Sequence, residues 1–356
     1  MTYVLSLTSV IDQSLLDLHC VHMIHTRYKQ ATRISLTLAI GAALTACASV
    51  ATQLPVVSKA ALDAEKVNQQ DIALTQLKAE TARLMNVSWP VLEKNSDLCE
   101  KIRPGIGVKT HYIRVYDKTL KEASMRVLGA QEQPTILHVI AGSPADKAGL
   151  QAGDMLLNHE GNPARETDKK FWTQLETGKS MPVNIKRGET QKTINIAAQD
   201  ICNYNVRLRS SVAINAYADG RNITVTSGMM KFSSNDNELA MIVGHELAHN
   251  TMAHIRKILG NRILSGNATR YTRPFESEAD YVGLYYQVRA GYSPENVEDF
   301  WRRLSAINPK NVARAKSHPT FPDRFLRLAA TRDEIKAKQD SNTPLIPNFL
   351  TKSEKT

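Results

Sequence analysis

Long apolar runs, clustered charge and internal repeats are all missing from this 356-residue chain, and each absence removes a class of function. Outside Ile34 to Ala46 no stretch could cross a bilayer, which takes about 20 predominantly apolar residues, so a multispanning membrane protein is excluded. The 45 Lys and Arg outnumber the 35 Asp and Glu, giving a net charge of +10. They are dispersed, with no run of five to eight and no nucleic-acid module, so nucleic acid is not expected as a partner. Anionic lipid or acidic polypeptide is the milder expectation for such a surface. Cysteine occurs only at 20, 47, 99 and 202, so each can be accounted for individually. The length permits two compact units.

What is present is His245-Glu246-Leu247-Ala248-His249. On a helix, at about 100° per residue, the two histidines stand about 40° and roughly 6 Å apart, so both imidazoles can reach one metal ion. Glu246 projects about 60° from His249, beside the metal, where a carboxylate can take a proton from zinc-bound water. Asn235 and Glu238 have capping-box spacing, and Leu239, Ala240, Ile242, Val243 and Leu247 form an apolar surface, which predicts a buried helix. The bland alternative is an exposed helix with incidental histidines. Gly244 weakens the helix by about 1 kcal/mol against Ala, so its expected use is close approach of another element.

A third ligand has to come from elsewhere. The metzincin arrangement is excluded, because Met252 and Ile255 occupy the positions where it needs glycine and histidine. A second helical pattern opens at Phe275-Glu276-Ser277-Glu278-Ala279-Asp280, and the third ligand of a gluzincin is expected there. Glu276 and Asp280 share a face, whereas Glu278 points about 200° away from Glu276. Glu276 is therefore the expected ligand, Asp280 the acceptor for a ligand histidine N–H, and Glu278 a solvated charge.

HELAH followed by Glu276-Ser277-Glu278-Ala279-Asp280 resembles the paired HExxH and ExxxD motifs of the HtpX and CAAX prenyl protease family of gluzincin metallopeptidases. The likeness extends over residues 203 to 330. It includes Asn215 to Gly220 and Ile223 to Met230, similar to the family's strand-turn-strand, and Ser317-His318-Pro319-Thr320 with Arg324, similar to its His-Pro and arginine motif. The resemblance implies one zinc ion per chain. It also implies a strand edge that holds an extended substrate by main-chain hydrogen bonds, for which Asn215 and Ala216 are the candidates. Arg324 is expected to stabilise developing oxyanion charge, and His318 to lie near the metal as a stabiliser or fourth ligand; the bland reading of His318 is a turn residue. His254, about 140° off the ligand face if the helix continues, is expected to be structural.

Arg27, Lys29 and Arg33 precede the apolar run Ile34 to Ala43, and Leu44-Thr45-Ala46-Cys47 closes it, the layout of a signal peptide. The closing residues resemble a bacterial lipoprotein box, which implies lipidation of Cys47; ordinary cleavage near Ala46 is the alternative. With no aspartate after Cys47, the expected location is the outer membrane facing the periplasm. Met23 makes a more normal start for such a signal than Met1. In an oxidising compartment Cys99 and Cys202 are expected to form a disulfide, two buried thiols being the alternative.

These cysteines bracket a segment that begins Arg103-Pro104-Gly105-Ile106-Gly107-Val108 and carries Gly142-Ser143-Pro144-Ala145-Asp146-Lys147-Ala148-Gly149-Leu150-Gln151-Ala152-Gly153-Asp154, which resembles bacterial PDZ domains. The resemblance implies that the amides of Gly105, Ile106, Gly107 and Val108 capture a terminal carboxylate, that Lys170 to Glu176 is the groove helix, and that the ligand adds as a strand. A PDZ fold serving only as spacer or lid is the alternative. A helical pattern over residues 58 to 84 makes the module an insertion.

The expected fold is α+β: a mainly helical zincin-type metallopeptidase with a small β-sheet and an inserted, β-rich PDZ domain with two helices. Its expected parts are a signal peptide at 1–46, a lipidated N-terminus and helical part of the peptidase at 47–100, the PDZ domain at 101–202, the peptidase domain at 203–338 and a flexible tail at 339–356. The function expected is zinc-dependent endoproteolysis of unfolded or misassembled envelope proteins. The competing expectation is a PDZ-bearing chaperone or scaffold with a normally closed zinc site.

Overall fold

Helix α1 spans Lys59–Glu93, nine residues beyond the pattern read from sequence, with Pro90 inside it. Its first turns stand in solvent, while Leu84, Val87 and Val91 are fully buried. The structure, a computed structural model, describes residues 54–265, 269–307 and 321–352. The expected signal peptide, Cys47 and the Ser317 to Thr320 motif with His318 lie outside the described residues. Met1–Ser58 and Lys59–Thr356 are separate units, and all the secondary structure described lies in the second.

After α1 the chain enters an inserted module. Strand β1 (Ile102–Gly105) pairs antiparallel with β8 (Gln199–Cys202), closing the neck, and at the same place the Cys99 and Cys202 sulfurs are bonded, with Cα atoms 5.6 Å apart. Between these ends lie β2 (Val108–His111), α2 (Lys121–Leu128) and β3 (Thr135–Val139), with β2 and β3 paired antiparallel. Helix α3 (Pro144–Lys147) follows, capped by the Ser143 hydroxyl. A second sheet has the order β5-β4-β6-β7, built from β4 (Met155–Leu157), β5 (Pro163–Ala164), β6 (Ser180–Arg187) and β7 (Thr190–Ala197). Ile106, Val108, Ile136, Leu156, Phe171, Val183 and Ile185 form the module's own core. The expected groove helix is a single turn, α4 (Lys169–Trp172), earlier and shorter than the sequence pattern. Asp168 and Lys169 accept the following amides and carry the chain on to Leu175 as irregular turns.

The remainder of the chain carries a three-stranded sheet ordered β10-β11-β9, from β9 (Asn205–Arg209), β10 (Ala216–Ala218) and β11 (Asn222–Thr226). The central strand β11 is buried at every residue, as its Ile-Thr-Val-Thr run favours. Short α5 (Ser227–Phe232) leads into α6 (Asp236–Thr251), α7 (His254–Ser265), α8 (Thr269–Arg289), α9 (Val297–Ile307), α10 (Phe321–Asp340) and α11 (Asn348–Lys352). The core gathers the end of α1, β11, α6 and α8 around Leu239, Leu247, Leu284, Tyr285 and Phe300. The architecture is α+β.

The expected tail at 339–356 is not loose as far as it is described. Arg289 donates to Leu345 O at 3.1 Å, the Tyr281 hydroxyl accepts from Asn348 N at 3.0 Å, and Phe349 lies against the Tyr281 ring. Polar composition and prolines suggested disorder, but Leu345 packs on the core and holds the segment down.

Candidate metal centre

Helix α6 begins where Asn235 Oδ1 accepts from Glu238 N at 3.0 Å. The Glu238 carboxylate returns to Ser234, accepting its amide at 2.8 Å and its hydroxyl at 2.9 Å. Every α6 residue from Glu238 to Asn250 is buried, so the motif sits on a core helix. A Cβ on Gly244 would lie 2.6 Å from Gly283 O, and one on Gly283 would lie 2.7 Å from His245 N. Close approach of another element is what Gly244 provides: α6 and α8 touch backbone to backbone beside the first histidine.

That contact brings three side chains to one point. His245 Nε2 and His249 Nε2 are 3.1 Å apart, and the two Glu276 oxygens lie 3.5 Å from one nitrogen each. Ligands about 2.0–2.2 Å from a tetrahedral ion stand roughly 3.3–3.5 Å from one another, so the three groups fit a single divalent cation. Two imidazole nitrogens and a carboxylate oxygen are also the donor types that hold zinc, which is the second indication of fit. Glu246, 7 % exposed, shares the pocket. Burial raises its pKa above the ordinary glutamate value and Glu276 adds to this, against the lowering effect of both histidines and Arg324. For His245 burial opposes protonation, but Asp280, Glu276 and Glu246 outweigh it and hold the pKa up to about 10. The pocket is rich in carboxylate and calls for a cation.

Asp280 lies one turn beyond Glu276 on α8, with Oδ1 2.9 Å from His245 Nδ1. Arg324 reaches Asp280 from α10 through Nε at 2.6 Å and Nη2 at 2.6 Å, and its guanidinium lies over the Trp301 ring at 3.4 Å. Besides the oxyanion role expected of it, Arg324 has a positioning one, its guanidinium paired with Asp280, the residue that faces His245.

Two residues set aside on sequence grounds belong here. His254 is fully buried, with Nδ1 3.0 Å from His249 Nδ1 and Nε2 2.7 Å from Glu278 Oε2. The expected angle assumed a continuous helix. Instead α6 stops at Thr251, and Ala253 takes a left-handed φ of 55°, which turns the chain so that His254 comes back under His249. A non-glycine residue in that region marks a constrained turn. Glu278, expected as a solvated charge, is 31 % exposed at its side chain and engaged by His254.

At the sheet, Asn215 N donates to Thr226 Oγ1 at 3.1 Å and Asn215 O accepts from Thr226 N at 3.1 Å. Asn215 is thus engaged inward, a correction to its expected place on the open edge. In an antiparallel ladder the outward positions alternate, so Ala216, paired with Val225, turns its backbone groups to the unpaired edge of β10.

The Gly105 to Val108 loop, Phe171 and Leu175 face Met85, Ser88, Trp89 and Leu92 of α1 across a cavity of about 60 Å³. Gly107, with φ of 81°, passes so close to Ser143 that a Cβ would lie 2.2 Å from its Cβ. Glu166 accepts from the backbone N–H and the hydroxyl of Thr110 on β2, and pairs with Lys109 at 3.1 Å.

Residues 189–267 match the family model of peptidase family M48, a segment that contains His245, Glu246 and His249 and stops before Glu276. The chain is 24% identical over 150 residues to "Mitochondrial metalloendopeptidase OMA1" of Schizosaccharomyces pombe, covering 35% of this chain and 44% of that protein. It is 26% identical over 160 residues to "Beta-barrel assembly-enhancing protease" of Escherichia coli K12, covering 34% of this chain and 32% of that protein. It thus spans less than half the length of these curated relatives. A solved HtrA3 PDZ domain bound to a phage-derived ligand aligns with 28% of this chain and 90% of its own at 17% identity and a TM-score of 0.22.

Proposed function

We propose that this chain, which carries a domain of peptidase family M48, is a zinc-dependent endopeptidase acting on unfolded or misassembled proteins of the bacterial envelope. The observation that carries the reading is the convergence of His245, His249 and Glu276 on one point, with Glu246 buried beside it. Two imidazoles and one carboxylate, with a fourth position left for water or substrate, are a donor set that suits zinc. A zinc ion held there supplies Lewis acidity towards a peptide carbonyl and acidifies a water molecule. Glu246 takes the proton of the attacking water and returns it to the leaving amine. Burial first, then Glu276, raises its pKa above the ordinary glutamate value, which favours holding the proton between the two transfers. Asp280, clamped by Arg324, holds the proton of His245 on Nδ1 so that Nε2 faces the ion. The open edge of β10 at Ala216 takes the substrate as an added strand.

The envelope setting rests on the signal-peptide and lipoprotein-box pattern ending at Cys47, and on relatives that include an Escherichia coli protein named for enhancing β-barrel assembly. No helix among the described residues is long and apolar enough to cross a membrane. The inserted module selects polypeptides through the Gly105 to Val108 loop. A second reading, a scaffold whose site opens only under particular conditions, is favoured by the depth of His245, Glu246 and His249, each no more than 7 % exposed, and by the closure of the module's groove on α1.

Glu246→Gln tests the mechanism. The variant retains zinc at wild-type stoichiometry and loses chelator-sensitive cleavage of an unfolded protein; full turnover by the variant would sink the assignment. A wild-type protein that binds partners tightly yet cleaves nothing under any condition favours the scaffold.

A further inference from the structure

The two ligand histidines are held from behind in different ways. His245 faces Asp280, whose side chain is 3 % exposed and closed off by Arg324. His249 faces His254, and His254 faces Glu278, whose side chain reaches the surface. The donors and acceptors in this second row follow from chemistry. An ionised carboxylate only accepts, so Nε2 of His254 carries the proton donated to Glu278. A neutral imidazole then has a lone pair at Nδ1, and His254 must accept there from His249 Nδ1. His249 in turn is left with its lone pair on Nε2, the atom 3.1 Å from His245 Nε2. Ring orientation is fixed as well, since His254 is stacked on Phe275 at 4.7 Å and 24°, and Phe275 sits one turn from Glu278 on α8.

We propose that His254 and Glu278 are positioning residues, a relay that sets the tautomer and angle of His249 and so determines how tightly the site holds its cation. The proposal rests on the zinc reading of His245, His249 and Glu276. One helix then serves the centre three times, with Glu276 as ligand, Asp280 behind the first histidine and, through His254, Glu278 behind the second.

The test measures zinc dissociation constants by chelator competition, with the absorption spectrum of the cobalt-substituted protein as a report on ligand geometry. His254→Phe keeps a ring on Phe275 and removes the acceptor. It is expected to weaken zinc about 10- to 100-fold, the usual effect of losing a partner behind a ligand histidine. Glu278→Ala lies at the surface, leaves the metal-free melting temperature near wild type, and weakens zinc in the same direction. His254→Asn, whose carboxamide oxygen stands near the position of Nδ1, recovers most of the affinity. Wild-type affinity and an unchanged cobalt spectrum in both His254→Phe and Glu278→Ala overturn the relay while leaving the metal site intact. If His254→Phe does not fold, Glu278→Ala decides alone. A wild-type chain that binds no zinc overturns the reading of the site itself, and the relay with it.

Discussion

Replacing Gly283 with alanine adds one methyl group to the place where α6 and α8 meet. The new carbon would lie 2.7 Å from His245 N, 2.8 Å from His245 Cα and 3.0 Å from Gly244 C, all backbone atoms that have no rotamer to escape into. Carbon contacts are comfortable at about 3.5–4.0 Å, so the helices must part by roughly 0.7 Å or more. Two stability effects oppose each other: overpacking costs about 1–3 kcal/mol, while alanine gains about 1 kcal/mol over glycine in a helix interior. The net loss of stability is therefore modest. The metal centre is far less forgiving, because ligand distances have to hold within about 0.2 Å and α8 carries Glu276 while α6 carries both histidines. Gly283→Ala should retain a cooperative unfolding transition within about 2 kcal/mol of wild type and lose at least tenfold in zinc affinity, read by chelator competition and calorimetry. Gly260→Ala is the control, since a Cβ there meets nothing within 4 Å. Full zinc affinity in Gly283→Ala would refute the claim that this contact sets the ligand geometry.

Two further outcomes follow from other parts of the molecule. The Cys99–Cys202 bond closes a loop with a sequence separation of 103, so its loss removes up to about 4–5 kcal/mol on the chain-entropy account; an unchanged urea midpoint on reduction would contradict this. His111 is buried beside Lys78, and burial first, then the lysine, lower its pKa to about 4. The unfolded chain takes up this proton near pH 6.5 and the folded one near 4, so the stabilisation is complete above about pH 6.5 and is lost as pH falls to about 4, by at most about 3 kcal/mol. Urea midpoints across that window should flatten in His111→Gln, and equal slopes in the two proteins would count against it.

The pairing of His245 with His249 was legible because helical periodicity is local: residues three or four apart share a face whatever surrounds them; Glu276, on another helix, was legible through the family resemblance, periodicity deciding only between it and Glu278. Gly244 was legible for a related reason, since an unfavoured residue in a buried helix needs a compensating contact. His254 was missed because the same periodicity was carried past Thr251, and the left-handed turn at Ala253 has no glycine or asparagine to announce it. The pairing of Arg324 with Asp280 was not legible, for their distance is set by the packing of α10 on α8. The inward engagement of Asn215 depends on the phase of the β10 to β11 ladder, which a three-residue strand does not reveal. The docked segment beyond Asp340 is held by Arg289 and Tyr281, residues some 50 to 70 positions earlier, and no local pattern encodes such a contact.

The groove that α1 closes has an energetic meaning for any peptide that would add to β2. Such a peptide competes with a rival on the same chain, because Glu166 already accepts from Thr110 N and Met85, Ser88, Trp89 and Leu92 line the same cavity as Phe171 and Leu175. Its apparent dissociation constant is the intrinsic one divided by the fraction of molecules in which the groove is free, so an open population of about 1 % would mask a hundredfold of affinity. Helix α1 also packs on α6, the helix that carries both ligand histidines. A peptide that displaces α1 therefore perturbs the helix under the metal, and by reciprocity whatever fixes α6 changes how readily the groove is vacated.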